Sequence, residues 1–157
     1  IKNGENIVAV ITNKDKLVGR KQILTACPVK QCAIENNIPV FSYDKIRYEG
    51  VEDLRALKPD LLITCAFGQI LSKEILEIPS LYTLNIHASL LPKYRGASPI
   101  HFAILNGEKK TGVTIMKTDV GIDTGDMLLS KEVEISENET MGELFLKLSD
   151  FLSLIIA

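Results

Sequence analysis

Apolar runs of strand length alternate with segments of helical spacing along the whole chain, and this alternation restricts the fold more than any single residue does. "NIVAVIT" (6–12) is rich in Val and Ile, as a strand covered on both faces should be. A basic loop follows, then "PVKQCAIENN" (28–37), whose proline suits the first turn of a helix. "IPVFSY" (38–43) reads as a short strand and "VEDLRALK" (51–58) as a short helix. "PDLLITCAF" (59–67) is the clearest strand, and "SKEILEI" (72–78) carries a serine cap before helical spacing. "TLNIHAS" (83–89) is the next strand, and "SPIHFAILNG" (98–107) a helix with Pro near its start and Gly after its end. "VTIMKT" (113–118) and "MLLSKEVEI" (127–135) predict antiparallel strands, and "TMGELFLKLSDFLSLIIA" (140–157) an amphipathic helix. This order predicts an α/β fold, a doubly wound and mostly parallel sheet with helices on both faces. With 157 residues, a single domain with a sizeable core is expected.

No apolar run approaches the roughly 20 residues that span a bilayer, and the first residues lack the regions of a secretory signal. The three cysteines, Cys27, Cys32 and Cys65, are odd in number and lack metal-ligand spacing. They read as reduced, small apolar side chains of a cytoplasmic protein, with no metal expected. The net charge of −2 argues against a broadly basic surface but leaves room for a local patch. In "KDKLVGRKQILTACPVK" (14–30), Lys14, Lys16, Arg20, Lys21 and Lys30 face Asp15 alone. Such a run is either a solvated loop or a contact for phosphates, as in a nucleic acid. No GxGxxG, Walker loop or nucleophile elbow is present, which weakens dinucleotide, nucleoside triphosphate and serine-hydrolase readings.

Ligands of open α/β sheets bind outside the carboxyl ends of the strands. The loops "FGQILS" (67–72), "HASLLPKYRG" (87–96) and "TDVGIDTGD" (118–126) follow such ends. Asn85 and His87 are two apart on a strand, so their side chains point the same way. One supplies an amide donor and the other moves a proton near neutral pH. A carboxylate from the third loop, Asp119, Asp123 or Asp126, would hold the imidazole by its other nitrogen. Such a set stabilises a developing oxyanion and transfers a proton. The plainer alternatives are a structural histidine, an asparagine bonded to a neighbouring loop and acidic turn formers beside Gly121 and Gly125. His101 reads as a packing or rim residue. Lys93 and Arg95 read either as contacts for anionic groups or as a solvated rim.

The stretch "LNIHASLLPKYRGASPIHFAILNGEKKTGVTIMKTDVGIDTGDMLL" (84–129) resembles the core of the folate-dependent formyltransferases. That family carries an N-I-H strand end, an S-L-L-P loop and a G-V-T-I strand before a D-x-G turn. "YRGASPI", "TGVTIM" and "GIDTGDM" are most similar to the branch whose acceptor is methionyl-tRNA. "GRKQILTACPVK" (19–30) resembles a loop of that branch, with Cys27 in a serine's place, and the likeness runs from about residue 7 to 135.

The resemblance implies that Asn85, His87 and Asp123 are the catalytic residues, selecting Asp123 among the three acids. It implies that Ser89, Leu90, Leu91 and Pro92 form the tetrahydrofolate-binding loop. The backbone around Phe67, Gly68, Gln69, Ile70 and Leu71 would form the wall of the pterin pocket. Arg20, with Lys21 beside it, would face the acceptor end of the initiator tRNA. The formyl donor implied is 10-formyltetrahydrofolate, with no metal, and the implied state is a cytoplasmic monomer. The family's opening strand, "GTPxF" segment and first helix are expected before residue 1, and an OB-like barrel after residue 157. On this expectation the chain is an incomplete catalytic domain. The alternatives are a formyltransferase for glycinamide ribonucleotide or an amino sugar, a formyl-folate hydrolase, or a catalytically silent folate- or nucleic-acid-binding module.

Overall fold

A computed structural model describes residues 4–155, which form two compact units. Of the described residues, the first comprises 4–60 and 67–80, the second 61–66 and 81–155. The α/β class expected from the alternation is the class found. Among the described residues no helix is long and apolar enough to cross a membrane.

In the first unit, β1 (Val10–Asn13) pairs in parallel with β4 (Val40–Tyr43), from Val10 opposite Val40 to Asn13 opposite Tyr43. The strand expected from residue 6 begins only at Val10, where the pairing with β4 begins. The basic run is not the simple loop expected. It folds back as an antiparallel hairpin of β2 (Lys16–Val18) and β3 (Ile23–Thr25). Gly19 and Gln22 make the reversal with left-handed backbone, φ +72 and +48. The crossover to β4 is α1 (Pro28–Glu35), with proline in its first turn and Ala33 buried. Two short helices follow, α2 (Ile46–Glu49) and α3 (Val51–Leu57), of which only the second was expected. They meet at Gly50, where an added Cβ would come within 2.8 Å of the Ile46 side chain. The cap expected at Ser72 is present on α4 (Lys73–Leu76), its hydroxyl accepting from the Ile75 amide at 3.4 Å. Ile46, Leu54 and Ile75 are buried in this unit.

The second unit is a four-stranded sheet in the order β5 (Leu61–Cys65), β6 (Tyr82–His87), β7 (Lys110–Lys117), β8 (Met127–Glu134). β5 and β6 run parallel, while β6–β7 and the expected β7–β8 pair are antiparallel. Helix α5 (Pro99–Leu105) and α6 (Met141–Ile155) share one core with the sheet, built from Ile86, Ile100, Val113, Val133, Leu144 and Leu148. Burying each of those leucines is worth about 1.5–3 kcal/mol. Residues 156 and 157, expected to end the last helix, lie outside the described residues. Glycine is obligatory inside β7, since a Cβ on Gly112 would sit 2.1 Å from the Lys131 carbonyl and 2.6 Å from the Leu90 side chain. The "TGV" of this strand therefore lets β8 and the 89–92 loop approach together.

Candidate active site

Strand β6 delivers Asn85 and His87 to its carboxyl end, with His87 buried and opposite Thr114 of β7. The β7–β8 connection returns to the same place and brings in Asp123. The Asn85 amide nitrogen donates to Asp123 Oδ1 at 3.1 Å, and His87 Nδ1 stands 3.4 Å from Asp123 Oδ2. One carboxylate thus bridges the amide and the imidazole. The three acids left open by spacing are distinguished by what each does. Asp119 turns on its own loop, accepting from the Gly121 amide at 2.9 Å and the Thr124 hydroxyl at 2.8 Å. Asp126 is exposed. Only Asp123 reaches the strand end.

Asp123 is held in a left-handed conformation, φ +51, which aspartate tolerates better than most residues. Three contacts from the 94–96 segment fix this arrangement. The Gly96 amide donates to Asp123 Oδ2 and Arg95 Nε to the Asp123 carbonyl, both at 2.8 Å. The Tyr94 carbonyl lies 2.8 Å from His87 Nε2. Both imidazole nitrogens therefore face oxygen acceptors, and a neutral ring can donate to only one of them. Asn85 spends one amide hydrogen on Asp123 and keeps a second, while its carbonyl oxygen accepts from the Thr64 hydroxyl at 2.9 Å.

Tyr94 is itself anchored. Its hydroxyl donates to Glu108 at 2.7 Å and accepts from Asn106 at 3.0 Å, and its ring stacks on Phe102. Glu108 also pairs with Lys93 at 3.0 Å. The Tyr94 hydroxyl, then Lys93, hold the Glu108 carboxyl below its ordinary range. A carboxylate depressed in the folded protein stabilises it above the ordinary pKa, and that contribution is lost as pH falls through the folded value. Lys93 and Arg95, read as possible anion contacts, are thus partnered with Glu108 and the Asp123 backbone.

The 89–92 loop lies against β7. Ser89 is fully buried, with its hydroxyl donating to the Lys93 carbonyl at 2.6 Å. The Thr114 hydroxyl donates to the Ser89 carbonyl at 2.8 Å and accepts from the Leu91 amide at 3.2 Å. Leu91 is buried, Leu90 half-buried and Pro92 exposed. The Ser89 and Leu91 side chains thus serve the fold of the loop.

Phe67, Gly68, Gln69, Ile70 and Leu71 belong to the first unit. Gln69 ties this segment to the ends of β1 and β4: its amide donates to Asn13 at 2.6 Å and the Tyr43 carbonyl at 3.1 Å, and its oxygen accepts from the Ile46 amide at 2.8 Å. Asn13 in turn donates to the Phe67 carbonyl at 2.9 Å. Ile70 is exposed. Arg20 and Lys21 sit exposed at the tip of the hairpin. Among the described residues neither has an ion-pair partner, whereas Lys14 pairs with Asp44 and Lys30 with Asp15. The three cysteines are free and exposed, His101 is exposed on α5, and among the described residues no cluster of metal-ligating side chains occurs.

Sequence reasoning missed Thr64, the Tyr94 carbonyl and the Gly96 amide. The last two are backbone atoms, which no residue type advertises. Thr64 did leave a signal, as the hydroxyl residue inside the apolar run "LLITC".

An amide, an imidazole and a shared carboxylate at a strand end of an α/β sheet are the equipment of an enzyme that polarises a carbonyl and moves a proton. The chain belongs to the formyl transferase family, whose model matches residues 1–155 and so spans both units. It is 56% identical over 145 residues to the methionyl-tRNA formyltransferase of Ruminiclostridium cellulolyticum, covering 92% of this chain and 46% of that protein. With the methionyl-tRNA formyltransferase of Clostridioides difficile it shares 56% identity over 139 residues, 88% of this chain and 45% of that one. The chain therefore spans about half the length of the curated relatives it matches. Among solved structures, the phosphoribosylglycinamide formyltransferase of Bacillus halodurans superposes with a TM-score of 0.80 at 26% identity, covering 94% of this chain and 75% of that chain.

Proposed function

We propose that this chain is the catalytic part of an enzyme that transfers the formyl group of 10-formyltetrahydrofolate to the α-amino group of methionyl-tRNA. The observation that carries this reading is the bridging of Asn85 and His87 by Asp123, in a chain 56% identical to a methionyl-tRNA formyltransferase. In the reaction the amine attacks the formyl carbon, the new C–N bond forms and the bond to folate N10 breaks. One amine proton leaves, and N10 gains one. Negative charge develops meanwhile on the formyl oxygen.

Asn85 has an uncommitted amide hydrogen to offer that oxygen. For His87 to donate to the same atom, the formyl oxygen takes the place the Tyr94 carbonyl now holds, 2.8 Å from Nε2. Asp123 orients both donors. The 89–92 loop and the backbone of residues 67–71 are the proposed folate contacts. Backbone groups suit the flat, polar-edged pterin, and the side chains of Ser89 and Gln69 are each engaged within their own unit. Arg20 and Lys21 are the proposed tRNA contacts, supported by their exposure at a hairpin tip with no ion-pair partner among the described residues.

The assay that tests the reaction supplies the whole gene product with the formyl donor and, in separate reactions, methionyl-tRNA, glycinamide ribonucleotide, a nucleotide-linked amino sugar, or no acceptor. Formyl-methionyl-tRNA is expected. Transfer only to another acceptor, or release of formate alone, would point to one of the rival activities. The hairpin has its own test. Arg20→Ala is expected to lower kcat/KM for methionyl-tRNA about tenfold, with the KM for folate unchanged, and to reduce the salt dependence of tRNA use by about one unit of slope. Equal losses on both substrates would remove Arg20 from the tRNA contact.

A further inference from the structure

We propose that Thr64 is a positioning residue for formyl transfer, its hydroxyl holding the Asn85 carboxamide in the orientation that aims an N–H at the substrate. The inference rests on the catalytic reading of Asn85. Thr64 lies directly opposite Asn85 in the parallel register of β5 and β6. Its hydroxyl is 2.9 Å from Asn85 Oδ1 and 3.1 Å from the Leu84 carbonyl. The other end of the carboxamide donates to Asp123 Oδ1 at 3.1 Å. The amide is thus held at both ends, by a donor on its oxygen and an acceptor on its nitrogen.

These two restraints do different work. A flipped carboxamide would set its oxygen against the Asp123 carboxylate, so Asp123 selects which end faces it. Asp123 alone leaves the plane free to tilt about that single bond. The Thr64 bond fixes the plane, and with it the direction of the second amide hydrogen. It also draws electron density toward the amide oxygen, which makes the N–H a better donor. No other side chain among the described residues bonds Asn85 Oδ1.

The test compares Thr64→Val, which keeps the shape and removes the hydroxyl, with Thr64→Ser, which keeps the hydroxyl. Both are made in the whole gene product, alongside Asn85→Ala and the Thr64→Val/Asn85→Ala pair. Thr64→Val is expected to lower kcat about 3- to 10-fold, the range of one net hydrogen bond. KM for the formyl donor should stay within about twofold, Thr64→Ser should restore kcat to within about twofold, and Thr64→Val should cost nothing further once Asn85 is alanine. If Thr64→Val leaves kcat unchanged while Asn85→Ala lowers it, the inference fails and the site reading stands. If Asn85→Ala itself has no effect, the site reading fails. A Thr64→Val loss that persists without Asn85, or that serine does not rescue, assigns the hydroxyl a purely structural role and overturns the proposal.

Discussion

His87→Ala in the whole gene product is expected to lower kcat for formyl transfer by about 100- to 1,000-fold, the usual cost of losing one donor to a developing oxyanion. KM for the formyl donor should change by no more than a few fold, because the imidazole is not among the proposed folate contacts. The substitution removes a side chain that is only 6% exposed and takes away the Tyr94 carbonyl's contact with Nε2, while Asp123 Oδ2 keeps the Gly96 amide. A thermal melt on the same sample therefore belongs with the kinetics. A folded variant with unchanged turnover would remove His87 from the chemistry. A folded variant that loses folate affinity in parallel with rate would make it a binding residue instead.

The second large effect is expected at Asp123→Asn, where the size and the left-handed backbone are both kept. Two donors converge on the two carboxylate oxygens, the Asn85 amide on Oδ1 and the Gly96 amide on Oδ2, and His87 Nδ1 stands 3.4 Å from Oδ2. An asparagine offers one oxygen and one NH2. Whichever way it turns, at least one of these donors meets another donor. Losing a charge-assisted bond of this kind costs about 1.5–3 kcal/mol, so kcat is expected to fall about 10- to 100-fold. If turnover falls by less than about threefold, the carboxylate has no role in aligning the pair. The experiment separates this role from that of the neighbouring acids, since Asp119→Asn disturbs only its own turn and should leave kcat within about twofold.

Much of this architecture was legible from side-chain patterning. The runs that became β5, β6, β7 and β8 are long enough to show their period, and Pro28 and Ser72 marked helix starts. The elements that escaped are short or depend on pairing. Each strand of the β2–β3 hairpin is three residues long, too few to display alternation, and its lysines and arginine made it look like a solvated loop. The four residues of α2 carry no readable period. At the site, the two-residue spacing of Asn85 and His87 placed them on one side of a strand. Spacing along the third loop could not choose among Asp119, Asp123 and Asp126. The choice follows from hydrogen bonds that exist only once the chain has folded, with Asp119 consumed by Gly121 and Thr124.

In the proposed reaction the imidazole and the carboxylate act as one unit on one carbonyl oxygen. Residues that act as a unit lose most of their effect together, so their losses do not multiply. The direct test is the single-turnover rate of formyl transfer by the His87→Ala/Asp123→Asn double variant, set beside the two single variants. The expected rate lies within about threefold of the slower single variant. A rate reduced by the product of the two separate losses would mean that His87 and Asp123 work independently, and would contradict the shared site.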